Sequence, residues 1–488
     1  MKKIYFYAIL LLSGIANSQI TLIKDINFTN FATTAHSSPD KLFAFDGKLY
    51  FSADDSFASN TGDVDVGKEL WVSDGTDAGT TLVKDINVGD ENSSPQSFFI
   101  LKNELYFYAN DGDHNIYKTD GTEEGTLAQG INYQINTPIV IGDKAYMQVY
   151  FDVLYEYDGE TFQKLPDMGT GEVTDAGSSY IALDDNSILC HVKYEIAGTS
   201  VGKELYLYDI PNQSYTLVKD FDGTAADADL NYFAKLGNKV YFTNEGDTTL
   251  WETDGTPDGT KQVAAASSVS DVNYTYAWNG KLYFDGKLGT YDQLISYDPA
   301  TGTVTELSTI TANHHPDDFA DPGDGYLYYG GKAYPLSPGN QRRLYRTNGT
   351  TVQAIDLDSF DRVDEITAVG NKLYFEASYD TDQNPTGPAD IGRELFGVDT
   401  SLLTTLSASE FELDSSLSIY PNPSTNLLNV KTTLEGEINY TIYNIAGKKV
   451  LSGTIENDVI NHNLTIGLYL LKLDNGSNSV SKKIVVKN

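Results

Sequence analysis

One eight-residue motif recurs down most of the chain, and a chain built from copies can fold only as a series of similar units. The clearest copies are ELWVSDGT at 69–76, NIYKTDGT at 115–122, TLWETDGT at 249–256 and RLYRTNGT at 343–350. Weaker ones are LYEYDGET (154–161), ELYLYDIP (204–211), QLISYDPA (293–300) and ELFGVDTS (394–401). The aligned residues Asp74, Asp120, Asp158, Asp209, Asp254, Asp298, Asn348 and Asp399 lie 38 to 51 residues apart. Such a period marks one supersecondary unit copied several times.

A second motif keeps step with the first: an apolar run, a tight turn and an aromatic run. Examples are LFAFDGKLYFSA (42–53), FFILKNELYFYA (98–109), YTYAWNGKLYFDG (274–286) and EITAVGNKLYFEA (365–377). Asp-Gly, Asn-Gly and Gly-Asn between β-favouring runs are two-residue hairpin loops, because they tolerate the positive φ such turns need. Each unit therefore reads as strand a, turn, strand b, loop, strand c (ELW-like), DGT turn and strand d (VKDI-like). Four strands in 40–50 residues is the spacing of a β-propeller blade. The pattern predicts an all-β chain whose body is an eight-bladed β-propeller. Seven blades is the alternative, since unit three is short and unit four divergent. The last copy has no VKDI-like strand, whereas TLIKDI (21–26) is a strand d without its own unit. Placing it beside Glu394–Asp399 completes the last blade and removes an exposed sheet edge.

Residues 1–18 carry Lys2 and Lys3, an apolar core and Ala16-Asn17-Ser18, which reads as a secretory signal peptide. No later stretch is long and apolar enough to suggest an integral membrane span. The one cysteine, Cys190, excludes an intramolecular disulfide framework. Net charge is −36, and the stretch between the signal peptide and residue 415 is more acidic still, because residues 1–18 hold two Lys and no acid and residues 416–488 seven Lys and five acids. So acidic a surface repels nucleic acid and anionic membranes.

The repeats occupy 19–406, a linker 407–416, and residues 417–488 differ in kind. Short alternating strands with Pro, Asn and Gly turns there predict a small C-terminal β-sandwich. YPNP (420–423), YNIAGKKV (443–450), GLYLLKL (467–473) and KKIVVKN (482–488) resemble the C-terminal sorting domain of type IX secretion cargo. That resemblance implies the type IX machinery as a partner and passage through the outer membrane of a Gram-negative cell. The sorting domain is then removed, and the body is released or held at the surface. The body, about 20–403, resembles the secreted proteins of ELWxxDGT repeats, which implies a propeller-like extracellular protein and no established reaction.

In Asp74-Gly75-Thr76, Asp120-Gly121-Thr122 and Asp254-Gly255-Thr256 the residue types are those of turn chemistry, with glycine at a strained angle and oxygen ligands for nearby backbone. The repeated Tyr50, Trp71, Tyr106, Trp251, Tyr283 and Tyr374 read as packing between blades. The a–b and c–d turns share one face, and the longer, variable b–c and d–a loops share the other. Function belongs on the variable face, where insertions fall at 54–67, 195–202, 331–341 and 378–392. Asp54, Asp55, Asp63 and Asp65 of one insertion would face Asp380, Asp382 and Asp390 of another, a candidate calcium site. No HExxH, GxSxG or phosphate loop is present. His314-His315-Pro316-Asp317-Asp318, before strand a of unit seven, is the one dense histidine cluster. It is a candidate for a transition metal or for the base and carboxylate of glycan cleavage.

The expected function is therefore a non-enzymatic, exported binding or adhesion module for an extracellular glycan or surface protein. It requires no cofactor, with calcium the candidate ion. The alternatives are a glycan lyase or hydrolase with its site on the variable face, and a structural component of the surface layer.

Overall fold

In strand b of the first unit, Lys48–Asp54, alternation sends Leu49, Phe51 and Ala53 to one face and Tyr50 and Ser52 to the other. All five are buried. A strand buried on both faces must lie in a sheet with a neighbour on each side. Leu49, Phe51 and Ala53 share a core with Ile23, Leu395 and Tyr374, whereas Tyr50 shares one with Leu105, Phe107 and Ala109. Full burial of each large side chain contributes about 1.5–3 kcal/mol, so these layers dominate the stability of the body.

The structure is a computed structural model describing residues 20–27, 36–55, 65–332, 342–379, 392–403 and 417–487, with breaks of one to four residues inside those ranges. The chain divides into two compact units, the first ending at Thr405. Among the described residues the first unit holds seven four-stranded sheets and one five-stranded sheet, all antiparallel. Sheet one is Asp40–Phe45, Lys48–Asp54, Lys68–Ser73 and Thr81–Lys84. Sheet eight is Phe360–Val369, Lys372–Tyr379 and Glu394–Asp399, completed by Ile20–Lys24 from the other end of the unit. Ile20 lies opposite Val398 and Leu22 opposite Phe396. Strand a of each sheet lies against strand a of the next, and Phe360–Val369 lies against Asp40–Phe45.

Sheet four departs from the expectation of a loose insertion at 195–202. Ser187–Ile196 and Thr199–Asp209 stay paired to the tip, Ile196 opposite Thr199. The reversal is Ala197-Gly198, both at positive φ (52° and 78°), as a two-residue hairpin loop requires. Glu172–Asp175 adds a fifth strand along the lengthened edge.

The repeated motif is built from two fixtures. At its DGT end, Asp74 Oδ1 accepts from the Thr76 amide (2.9 Å) and hydroxyl (2.7 Å), and Thr76 Oγ1 accepts from the Gly79 amide (3.0 Å). The same bonds recur at Asp120-Gly121-Thr122 with Gly125 and at Asp254-Gly255-Thr256 with Gly259. These bonds hold the carboxyls of Asp74, Asp120 and Asp254 below their usual range. The complete signature is DGTxxGT. A β-carbon at Gly79, Gly125 or Gly259 would fall on the Asp carboxylate, so Gly125→Ala should lower stability by about 1–3 kcal/mol. A urea midpoint equal to wild type would contradict this.

The first glycine of the turn, at φ 86–90°, receives the tyrosine of the preceding sheet's strand b. A β-carbon at Gly121 would lie 2.6 Å from the Tyr50 hydroxyl, and one at Gly349 2.8 Å from that of Tyr283. Tyr374 of sheet eight meets Gly75 of sheet one in the same way. Sheet four has Leu189 where the tyrosine would fall, and Leu183 covers Gly255 instead.

At the other end, the motif's glutamate ties strand c to the d–a loop. Glu69 is fully buried and accepts from the amides of Ile86 (3.0 Å) and Ser93 (3.0 Å) and from the Ser93 hydroxyl. Glu394 does the same for Ile26, Ser37 and the Ser37 hydroxyl (3.0, 3.0 and 2.5 Å). Gln293 substitutes in sheet six, accepting from the Ser308 hydroxyl at 2.7 Å.

The second unit holds a three-stranded and a four-stranded antiparallel sheet around Leu428, Val430, Ile442, Ile460, Leu471 and Ile484. The proposed signal segment 1–18 and linker 407–416 lie outside the described residues.

Candidate functional site

Seven of the eight first strands share an irregularity that the sequence pattern did not disclose. Each carries a residue paired to strand b: Asp40 to Ser52, Gln96 to Tyr108, Asn136 to Gln148, Asn231 to Thr243, Asn273 to Asp285, Asp317 to Gly330 and Asp364 to Glu376. Directly after each, the register slips. The next residue is left-handed: Lys41, Ser97, Thr137, Tyr232, Tyr274, Asp318 and Glu365, with φ between 44° and 57°. None is glycine, so each bulge costs about 1–2 kcal/mol of backbone strain. A bulge re-aims side chains, and here the re-aimed residues span six types over seven sheets.

Neighbouring bulges touch. The Lys41 amide donates to Glu365 Oε2 (2.9 Å), and the Glu365 amide donates to Asp318 Oδ2 (3.1 Å). Tyr232 and Tyr274 place their ring centroids 4.9 Å apart. Asp318 reaches the surface with protein packed closely around its carboxyl. Burial, with Asp364 and Glu365 nearby, raises its carboxyl to about 6. Carboxylate acceptors and aromatic faces thus recur at one position of successive first strands.

The HHPDD segment is divided among several roles. His314 is packed edge-on against Tyr345, with Nδ1 2.9 Å from the Lys332 carbonyl and Nε2 3.1 Å from the Tyr329 hydroxyl. Burial lowers its pKa to about 4, which leaves it a neutral core residue. Asp317 pairs with Arg342, which also holds Asp364 at 2.7 Å. His315 alone reaches a site. Its Nδ1 lies 3.2 Å from Asp285 Oδ2 and its Nε2 3.7 Å from Asp292 Oδ2.

Asp285 comes from strand b of sheet six, Lys281–Lys287, and Asp292 from the b–c loop that follows. Both are nearly fully buried, and Asp285 Oδ1 has no hydrogen-bond partner among the described residues. Burial and then the charge of Asp292 raise the Asp285 carboxyl to about 8, while burial lowers His315. Lys287 Nζ is 2.7 Å from Asp271 and 3.5 Å from Asp292. The group borders a cavity of about 440 Å³ lined by Thr243, Thr248, Asp271, Asn273, Asp292 and His315. Asp285 and Asp292 carry no motif; the visible signal was the polar residue that follows the aromatic pair in LYFDG.

Of the candidate calcium ligands, Asp55 Oδ1 accepts from the Val66 amide and Asp65 Oδ1 from the Gly67 amide, both at 3.0 Å. The Asp54 amide donates to the Ser37 carbonyl at 2.8 Å. Burial and then Asp65, Asp54 and Asp85 raise the Asp55 carboxyl. Asp63, Asp380, Asp382 and Asp390 lie outside the described residues.

Residues 418–487 match the secretion system C-terminal sorting domain. The protein is therefore type IX cargo, exported to the cell surface or the extracellular space, and that machinery is its partner. No curated protein matches the chain. Among solved structures it is similar to the oligogalacturonate lyase of Vibrio parahaemolyticus, at 12% identity and TM-score 0.43, over 75% of this chain and 98% of that one. It is also similar to the computationally designed Ika8 protein (14%, 0.46, covering 75% and 97%). A third similarity is to the β-propeller domain of the Trilobed protease from Pyrococcus furiosus (10%, 0.39, covering 65% and 97%). At such scores no functional conclusion rests on these likenesses. No helix among the described residues is long and apolar enough to cross a membrane.

Proposed function

We propose that residues 19–406 form an eight-bladed β-propeller of ELWxxDGT-type units, closed by Ile20–Lys24, and that its circuit of bulged first strands binds an extracellular polysaccharide without chemistry. Residues 1–18 serve as the signal peptide, 407–416 as a linker and 417–488 as the sorting domain. Support for the ring comes from cores shared between consecutive sheets, including the one that joins Leu49 and Phe51 to Leu395 and Tyr374.

The observation that carries the binding reading is the run of left-handed, non-glycine residues at one position of seven sheets, with six side-chain types among the seven. Packing alone explains the repeated Leu, Tyr and Phe of strand b but not this variation. Tyr274, 44% exposed beside Tyr232, supplies a stacking face, and stacking of this kind contributes about 0.5–1.5 kcal/mol beyond burial.

A glycan array probed with the full chain should show a selective polysaccharide signal, and Tyr274→Ala should weaken it about tenfold. An array without signal, or binding indifferent to Tyr274, would overturn the reading. Calcium between the loops holding Asp54, Asp55, Asp63 and Asp65 and those holding Asp380, Asp382 and Asp390 is a separate proposal, supported by the crowded carboxyl of Asp55. Calcium should raise the unfolding temperature, and Asp55→Asn should abolish that rise.

A further inference from the structure

We propose that Asp285, Asp292 and His315 bind one divalent transition-metal ion, with zinc the expected occupant, between sheets six and seven. Each residue offers one donor atom, all within 4.8 Å of one another. Zinc bonds of about 2.0–2.2 Å need donors roughly 3–3.5 Å apart, which small side-chain rotations would bring about. The His315–Asp285 separation of 3.2 Å already meets that spacing.

Two observations separate this group from an ordinary acidic cluster. Asp285 is 1% exposed, and its Oδ1 has no hydrogen-bond partner among the described residues. A buried carboxylate oxygen without a donor costs free energy that a cation would recover. The acidic side chains also outnumber the ammonium that contacts them. Once a metal displaces the Asp285 proton, Asp271, Asp285 and Asp292 carry three negative charges beside the Lys287 ammonium, which lies nearest Asp271. A dication beside a neutral imidazole offsets the carboxylates that Lys287 leaves uncompensated.

The donor set chooses the metal class. Calcium takes oxygen ligands, whereas an imidazole with two carboxylates suits zinc and its first-row neighbours. Three protein ligands leave a fourth position open, and the adjoining cavity gives that position access to water or to a ligand oxygen. The site is independent of the polysaccharide reading, since it lies beside the bulges rather than on them.

The test is calorimetric titration of chelator-treated full chain with zinc, with thermal unfolding followed in parallel. Wild type should bind one equivalent and unfold at a higher temperature with zinc. Asp285→Asn and His315→Ala should each weaken binding at least tenfold and lose that rise. His315 is half-exposed, so its replacement spares the core if Asp285→Asn disturbs folding. His462→Ala, in the second unit, should leave binding unchanged. No binding by wild type, or equal affinity in wild type and His315→Ala, would overturn the proposal.

Discussion

Replacing Glu394 with alanine should lower the stability of the body by about 3–5 kcal/mol, the range for removing one side of a buried hydrogen-bond network. The side chain is fully buried and serves the amides of Ile26 and Ser37 and the Ser37 hydroxyl. Those donors lie in the chain that follows Ile20–Lys24, so their loss loosens the segment that completes sheet eight. Burial pushes Glu394 up to about 8 and Glu69 up to about 7, from an ordinary value of 4.5. Folded protein then holds more protons than unfolded chain between those values. Stability from these groups is full below pH about 4.5 and is lost as pH rises through 7 and 8. The unfolding temperature should fall from pH 5 to pH 8.5, and Glu394→Gln should flatten that slope. A Glu394→Ala protein as stable as wild type would remove the latch from the account.

Tyr374→Ala is the second large effect, again about 3–5 kcal/mol, as for other buried aromatics cut back to alanine. Tyr374 is 2% exposed and covers Gly75 across the junction of sheets eight and one. Tyr50 over Gly121 and Tyr283 over Gly349 make the same contact inside the series. If the junction is packed like every other, alanine at all three positions should cost the same within about 1 kcal/mol. A Tyr374→Ala cost near zero beside large costs at Tyr50 and Tyr283 would mean an open junction.

Strands were legible because the repeats carry their own punctuation. KLYF runs with Asn-Gly or Asp-Gly before them fix the a–b hairpin, and the orphan TLIKDI points to Glu394–Asp399, where Ile20–Lys24 pairs. The glutamate of ELW was visible as a letter and opaque as a role, because its partners, Ile86 and Ser93, lie 17 and 24 residues away. The role of the second glycine of DGTxxGT is opaque for a related reason: the space it yields is filled by the Asp side chain five residues earlier.

The bulges were illegible in principle. Lys41, Tyr232 and Glu365 are residues that rarely take positive φ, so nothing in composition announces the conformation. The sheet imposes it, through a register that slips after the first pair. The acidic loops were singled out because charge density is easy to see in a sequence, whereas Asp285 and Asp292 stand out only once burial and an unpartnered oxygen are known.

The central claim, a wheel of eight sheets latched by its own first strand, is tested most directly by hydrogen–deuterium exchange read by mass spectrometry on peptides covering 20–26 and 394–399. The account predicts that both peptides exchange together, and as slowly as strand b of sheet one, because they are rungs of one sheet. Exchange of 20–26 at the rate of unfolded chain, while 48–54 stays protected, would contradict it.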